Sequence, residues 1–101
     1  MSKLVYLFDD WRLDTGRRTL TNPQGEFVRL TPTEFDVLTI LCQRPQEAVP
    51  RLALLQDRHV TDKAADVCMC RIKKKMGADA PTLIKTIRHK GFFLTAPVTA
   101  E

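Results

Sequence analysis

The segment LTPTEFDVLTILCQR, residues 30–44, places the strongest constraint on how this chain can fold. Thr31 is a candidate helix N-cap, Pro32 stands at the first helical position, and Glu34 follows Thr31 by three residues. This arrangement is a capping box with the proline that is favoured at helix starts. Behind it, apolar side chains recur at helical spacing, at Phe35, Val37, Leu38 and Leu41. The pattern predicts an amphipathic helix over 32–44.

Four short runs rich in aromatic and branched residues precede this helix. They are LVYLF (4–8), WRLD (11–14), RTLT (18–21) and EFVRL (26–30). The pair Asp9-Asp10 and two segments with Gly, Asn or Pro separate the runs, which is typical of tight turns between strands. In the last run, Val28 and Leu30 are expected on one face and Phe27 and Arg29 on the other. The pattern predicts a four-stranded antiparallel sheet over 4–30.

The second half of the chain predicts two more helices and a hairpin. RLALLQ favours a short helix over 51–57, with Leu52 and Leu55 facing inward. A stronger helix is predicted over 62–76, because one stripe of it is apolar and Gly77 stands at its end; the stripe consists of Ala65, Met69, Ile72 and Met76. TLIKTIR and GFFLTA then predict a two-stranded hairpin over 83–96.

The order of elements defines the expected fold class. A strand meander is followed by three helices, of which the third is apolar on one side and basic on the other, and then by a β-hairpin. This order is typical of an α+β winged helix-turn-helix with an N-terminal four-stranded antiparallel sheet and a C-terminal hairpin wing. With 101 residues, the chain is expected to form one domain over 1–101.

Positive charge is concentrated in the second half of the chain. Residues 1–50 hold six Lys or Arg and seven Asp or Glu, a net charge of −1, whereas residues 51–101 hold ten and five, a net charge of +5. The stretch 71–90 alone carries seven basic residues and one acidic residue. A domain with one basic half favours a polyanionic partner, and a solvated face that aids solubility is the alternative.

Several protein classes are not favoured by the sequence. No apolar run approaches the ~20 residues that span a bilayer, and the N-terminus lacks the features of a signal peptide, so we expect no membrane association and a cytoplasmic location. Three cysteines, Cys42, Cys68 and Cys70, argue against a disulfide framework. No phosphate-binding glycine loop and no Ser/His/Asp set is present, so we expect neither an enzyme nor a cofactor.

Four segments together resemble the C-terminal DNA-binding domain of OmpR/PhoB-type response regulators of two-component systems. They are FDDWRLDTGRRTLTNPQGEFVRLTPTEFDVL, AVPRLALL, ADVCMCRIKKKM and IKTIRHKGFFL, and they cover nearly the whole chain in order. The resemblance implies sequence-specific binding of double-stranded DNA by a bacterial transcriptional regulator. It also implies head-to-tail binding of two copies on direct repeats and a contact to RNA polymerase through loop 56–63. His89 and Phe92 stand where the family usually has Gly and Tyr.

The helix over 62–76 is the predicted recognition helix in the major groove, which is wide enough to admit a helix. Arg71 is expected to read a guanine, because a guanidinium can bind O6 and N7 together. Cys68 could contact a thymine methyl group. Other residues are expected on the DNA-facing side or as phosphate ligands: Lys63, Val67, Lys73, Lys74 and Lys75. For the three consecutive lysines, a solvated helix end is the alternative.

The hairpin turn over 86–91 is the predicted wing tip. Arg88 is expected at the adjacent minor groove, where A·T tracts concentrate negative potential. Thr86 and Lys90 are expected at flanking phosphates, with His89 between them. A solubilising turn is the alternative.

Other functions remain open from the sequence alone. A winged helix that binds a partner protein instead of DNA is one alternative, although Lys is depleted in protein interfaces. RNA binding is less favoured because no aromatic stacking platform is present. Cys68 and Cys70 lie about 200° apart around their helix, so we expect no metal site there.

Overall fold

The computed structural model describes residues 4–55 and 62–101. Its regular elements in chain order are β1 Val5–Phe8, β2 Trp11–Asp14, β3 Thr19–Thr21, β4 Phe27–Val28, α1 Pro32–Gln43, α2 Arg51–Leu55, α3 Asp62–Met76, α4 Ala80–Leu83, β5 Ile84–Ile87, β6 Gly91–Leu94 and β7 Thr99–Ala100. The predicted α+β winged helix-turn-helix fold is confirmed by this order and by the hairpin that follows the helices.

The N-terminal sheet is antiparallel and has the strand order β4-β3-β2-β1-β7. Asp9 and Asp10 join β1 to β2 with φ angles of 49° and 69°, the left-handed conformation that two-residue hairpin turns require. The fifth strand, β7, was not predicted. It extends the four predicted strands because the C-terminus returns to β1, where the amide of Glu101 donates to the carbonyl of Val5 at 2.8 Å.

Helix α1 begins with the predicted capping box. The Glu34 amide donates to the Thr31 hydroxyl at 3.2 Å, and the Thr31 amide donates to the Glu34 carboxylate at 3.0 Å. The helix ends at Gln43, and Arg44 is its C-cap. Its buried face includes Phe35, Val37, Leu38, Ile40 and Leu41, so α1 lies at the centre of the core.

Helix α2 buries a different leucine from the one that the sequence predicted. Leu54 is buried, but Leu52 is 67% exposed, so the prediction that Leu52 faces inward is wrong. The chain enters α2 from Val49, whose amide donates to the Phe92 carbonyl at 2.8 Å. This pairing with β6 fixes where the helix begins, and it places Leu54 rather than Leu52 against the core. The predicted residues 56 and 57 of this helix lie outside the described residues.

After α3, Gly77 ends the helix with a φ of +78°. A 3-10 turn over Gly77–Asp79 and the short helix α4 follow, with Pro81 in the first turn of α4. Neither of these two elements was predicted from the sequence. They lead the chain back to β5, and the Trp11 indole donates to the Asp79 carboxylate at 3.1 Å, which joins the sheet to this connection.

One continuous core connects the sheet, the helices and the hairpin. It includes Trp11 and Leu13 from the sheet, Leu38 from α1, Ile72 from α3 and Leu94 from β6, each at most 1% exposed. The hairpin therefore belongs to the same packed unit as α3. Among the described residues, no helix is long and apolar enough to cross a membrane.

Candidate nucleic-acid interface

Helix α3 has a buried side and a mostly cationic exposed side. Its buried residues are Ala65, Cys68, Met69, Ile72 and Met76. Its exposed residues include four cations, one acid and two less polar side chains: Lys63, Asp66, Val67, Cys70, Arg71, Lys74 and Lys75. A surface with this charge is suited to a polyanion.

The two α3 cysteines are placed differently from the prediction. Cys68 was expected to face outward, but it is only 8% exposed, whereas Cys70 is exposed. The reason is helical phase. Cys68 lies about 40° around the helix from the buried Ile72, whereas Cys70 lies about 160° from it. Sequence reasoning could have placed Cys70 on the exposed face by measuring each position from Ile72, and it missed Cys70 as a candidate site residue.

A groove runs between the N-terminus of α1 and the exposed side of α3. Its volume is about 480 Å³. Two cations, Lys63 and Arg71, line it on the α3 side, and Thr31 and Thr33 line it on the α1 side. Val67, which is 40% exposed, also contributes to its wall. The groove therefore combines positive charge with apolar surface next to the predicted base-reading residue.

Lys75 contacts the protein itself. Its ammonium donates to the carboxylate of Glu34 at 2.5 Å, and Glu34 is 2% exposed. Burial raises the pKa of Glu34, but the hydrogen bonds from Lys75 and the Thr31 amide, with the charges of Lys75 and Arg71, outweigh it. The resulting pKa lies below its ordinary value of 4.5, so Glu34 is ionised at neutral pH.

Lys73 joins α3 to the hairpin. Its ammonium donates to the Thr86 hydroxyl at 3.2 Å and lies 5.9 Å from the centroid of the Phe92 ring. Arg51 lies 5.1 Å from the same centroid and forms an ion pair with Asp66 at 2.7 Å. These contacts surround a second groove of about 310 Å³, which Cys70 also lines. They hold the hairpin against the helix that carries the exposed cations.

The predicted wing is an antiparallel hairpin with a three-residue cationic turn. Arg88, His89 and Lys90 are all exposed, and the Lys90 amide donates to the Ile87 carbonyl at 2.9 Å. His89 has a φ of 66°, the left-handed region that glycine adopts without cost. The turn therefore keeps a glycine-like backbone although histidine stands there.

Gly91 is required by a close approach at the base of the wing. A Cβ atom at this position would lie 1.9 Å from the Val49 carbonyl oxygen, and the φ of Gly91 is +140°. The amide of Phe92 donates to that same oxygen at 3.0 Å. Gly91 thus lets β6 pair with the segment that enters α2, and this pairing sets the position of the wing.

No metal site is indicated in the part of the chain that the structure describes. It contains no group of three or more His, Cys, Asp or Glu side chains that could hold a metal ion. Burial raises the pKa of the Cys42 thiol to about 12, so this cysteine is a protonated core residue at neutral pH. His59 and most of the predicted polymerase-contacting loop 56–63 lie outside the described residues.

Comparison with known proteins decides the family. The sequence model of the family described as "Transcriptional regulatory protein, C terminal" matches residues 25–94, which is more than half of the chain. The chain belongs to this family. The matched range contains β4, the helices α1 to α4 and the wing, and the domain is of the OmpR/PhoB response-regulator type that its motifs resemble.

Individual relatives agree with this assignment. Regulatory protein VirG of Agrobacterium tumefaciens (strain 15955) is 36% identical over 100 residues, which span 92% of this chain and 38% of VirG. The Klebsiella pneumoniae RstA DNA-binding domain, solved in complex with the RstA box, is 32% identical with a TM-score of 0.79, and the match covers 90% of this chain and 96% of that domain.

A third relative is DrrB of Thermotoga maritima, an OmpR/PhoB homolog. It is 29% identical with a TM-score of 0.80, and the match covers 90% of this chain and 44% of DrrB. This chain spans about two fifths of the length of the curated relatives that it matches.

Proposed function

We propose that this OmpR/PhoB-type domain binds double-stranded DNA in a sequence-specific manner as part of a bacterial transcriptional regulator in the cytoplasm. The observation that carries the proposal is that the exposed cations of α3 and of the wing tip belong to two elements in direct contact. The contact between Lys73 and Thr86 joins these two elements. The solved complex of RstA with its DNA box, on the same fold, supports it.

In the proposed complex, α3 enters the major groove with its exposed side toward the bases. Arg71 reads a guanine through O6 and N7. Lys63 and Lys74 lie on the same exposed side and bind phosphates, which position the helix without reading sequence. Val67 and Cys70 are neighbours at i and i+3 between these cations, so they are the residues placed to contact a thymine methyl group.

The wing contributes the second set of contacts. Arg88 enters or straddles the adjacent minor groove, where A·T tracts are narrow and strongly negative. Lys90 and His89 contact the flanking backbone, and Thr86 and Lys73 share one phosphate beside α3. Since the wing packs on the same core as α3, the two contacts keep a fixed spacing along the duplex.

Two further partners follow from family membership and remain part of the proposal. Two copies are proposed to bind head-to-tail on direct repeats, with weak association in the absence of DNA. Loop 56–63 is proposed to contact RNA polymerase. Neither feature is required for the binding of one copy to one half-site.

Selection of bound sequences from a pool of random duplexes tests the proposal. We expect wild type to enrich a preferred site that contains a guanine, and Arg71→Ala to lose the preference at that guanine at a cost of about 1–3 kcal/mol. Arg17→Ala is the matched control, since Arg17 is an exposed cation in the turn after β2. Enrichment of no site by wild type would contradict specific binding and would favour the alternative of a partner protein.

A further inference from the structure

Glu34 is the one charged residue that is buried among those whose burial the structure describes. A single carboxylate oxygen of Glu34 accepts two hydrogen bonds, from the Thr31 amide at 3.0 Å and from the Lys75 ammonium at 2.5 Å. The first bond belongs to the start of α1, and the second comes from the last turn of α3. One buried atom therefore connects the two helices that flank the first groove.

Because Glu34 is buried, its bond to Lys75 restrains the orientation of α3 relative to α1. A charge removed from water is tolerated only when it is paired and hydrogen-bonded. The Glu34 side chain is 3% exposed and that of Lys75 is 34% exposed, so the carboxylate end of the bond is shielded from solvent while Lys75 reaches it from the surface. Separation of the two charges would leave Glu34 unpaired in the interior, and α3 is held in the orientation that keeps the bond.

We propose that Glu34 and Lys75 are positioning residues, which fix the orientation of α3 for base reading, and that Lys75 does not bind a DNA phosphate. This inference rests on the proposed DNA-binding function and deepens it. The inference distinguishes Lys75, which is paired with Glu34, from its neighbour Lys74, although the sequence presents Lys73, Lys74 and Lys75 as one basic run.

The variant Glu34→Gln tests the positioning role, because the result expected from positioning is opposite to the result expected from net charge alone. Loss of one negative charge should strengthen the binding of a cationic protein to DNA. We expect instead that the ratio of specific to non-specific affinity falls by about tenfold, the order of one lost base contact. Glu47→Gln is the matched control, because Glu47 is an exposed carboxylate paired with Arg44, and its ratio should not change. A smaller folded fraction lowers both affinities equally, so the ratio reports orientation.

The salt dependence of DNA binding by lysine variants tests the claim that Lys75 does not bind a phosphate. Lys74→Met should reduce the slope of log affinity against log salt by about 0.9, the value for one phosphate contact, whereas Lys75→Met should leave the slope unchanged. If Glu34→Gln does not fold, the double variant Glu34→Gln, Lys75→Met leaves no unpaired buried charge, and it is expected to show the same lowered ratio and unchanged slope.

The possible results separate this inference from the proposed function. An unchanged specificity ratio in the folded glutamine variant, or a slope reduced by about 0.9 in Lys75→Met, would overturn the positioning role. DNA binding by the wild type would then stand. If the wild-type protein showed no salt-dependent binding to any duplex, the proposed function itself would fail, and the positioning role would fail with it.

Discussion

The ammonium of Lys73 donates a hydrogen bond of 3.2 Å to the hydroxyl of Thr86, which joins the last turns of α3 to the first strand of the wing. Because one donor and one hydroxyl lie side by side at the edge of the cationic surface, a single phosphate oxygen can contact both. Lys73 and Thr86 are therefore already close enough in the free domain to bind one phosphate together.

Thr86→Val should weaken duplex binding by about fivefold, which corresponds to the loss of roughly one hydrogen bond of 1 kcal/mol. The hydroxyl is exposed, so the free energy of unfolding should change little. Fluorescence anisotropy with a labelled duplex measures the affinity. Thr99→Val on β7 is the control, since Thr99 is also exposed on a strand. Equal affinities for the two variants would contradict a phosphate contact at Thr86.

Arg88→Ala should remove the proposed minor-groove contact. We expect the affinity to fall by about 1–3 kcal/mol for a site with an A·T-rich flank, and to fall less when that flank is G·C-rich, because the narrow A·T groove attracts arginine most strongly. Competition between the two duplexes measures the preference. If the variant binds its site as tightly as wild type, the wing has no role in binding.

The exposed apolar pair on α3 should make binding sensitive to thymine methyl groups. Replacement of deoxythymidine by deoxyuridine removes the methyl group alone. At the thymine that contacts Val67 or Cys70, this change should weaken binding about fourfold, the value for one buried methyl group. Val67→Ala should reduce this sensitivity. Uridine placed outside the selected site is the control, and equal effects at both places would argue against the contact.

Two glycines should differ sharply in their tolerance of alanine. Gly91→Ala places a Cβ atom against the Val49 carbonyl and should destabilise the fold by at least about 2 kcal/mol. Gly25→Ala shares a positive φ, but no atom of another residue lies within 4 Å of the added carbon, so it should cost only the strain of the left-handed conformation, about 1 kcal/mol. Urea denaturation measures both. Similar losses would show that the close approach at Gly91 does not determine its role.

Acid should destabilise the domain partly through Glu34. Its pKa is lowered in the folded state, so its ionised form stabilises the fold above its ordinary value of 4.5, and this contribution is lost as pH falls through the lowered pKa. Glu34→Gln should therefore be less stable at neutral pH and show a flatter acid limb. Urea midpoints from about pH 7 to about pH 3 test this. An unchanged acid limb would indicate that another carboxylate is responsible.

Local patterns predicted the parts of this fold that depend on neighbouring residues. The capping box at Thr31 and the helix stop at Gly77 are encoded within a few positions, and both are present. The order of the predicted elements then indicated the winged helix-turn-helix arrangement, and the family resemblance agreed with it. The β7 strand was missed because its pairing with β1 joins residues that are far apart in the chain.

The details of the candidate site depended on tertiary contacts that no local pattern contains. The charged run from Lys73 to Lys75 predicted three phosphate ligands, which stays a prediction. The run itself gives no sign of the bond that Lys75 makes to a buried carboxylate on another helix. The entry of the chain into α2 is set by its pairing with β6, so Leu52 was placed inward in error. Cys68 and Cys70 were a different kind of error, since helical phase alone distinguishes them.

The central claim is that the exposed side of α3 and the wing form one surface for duplex DNA. The most direct test is anisotropy of the wild-type protein with random duplex DNA across a salt series. The account predicts that log affinity falls linearly with log salt, with a slope of about −3.6 or steeper, which corresponds to at least about four phosphate contacts. An affinity that does not change with salt, or no binding at about 10⁻⁴ M protein near physiological salt, would contradict it.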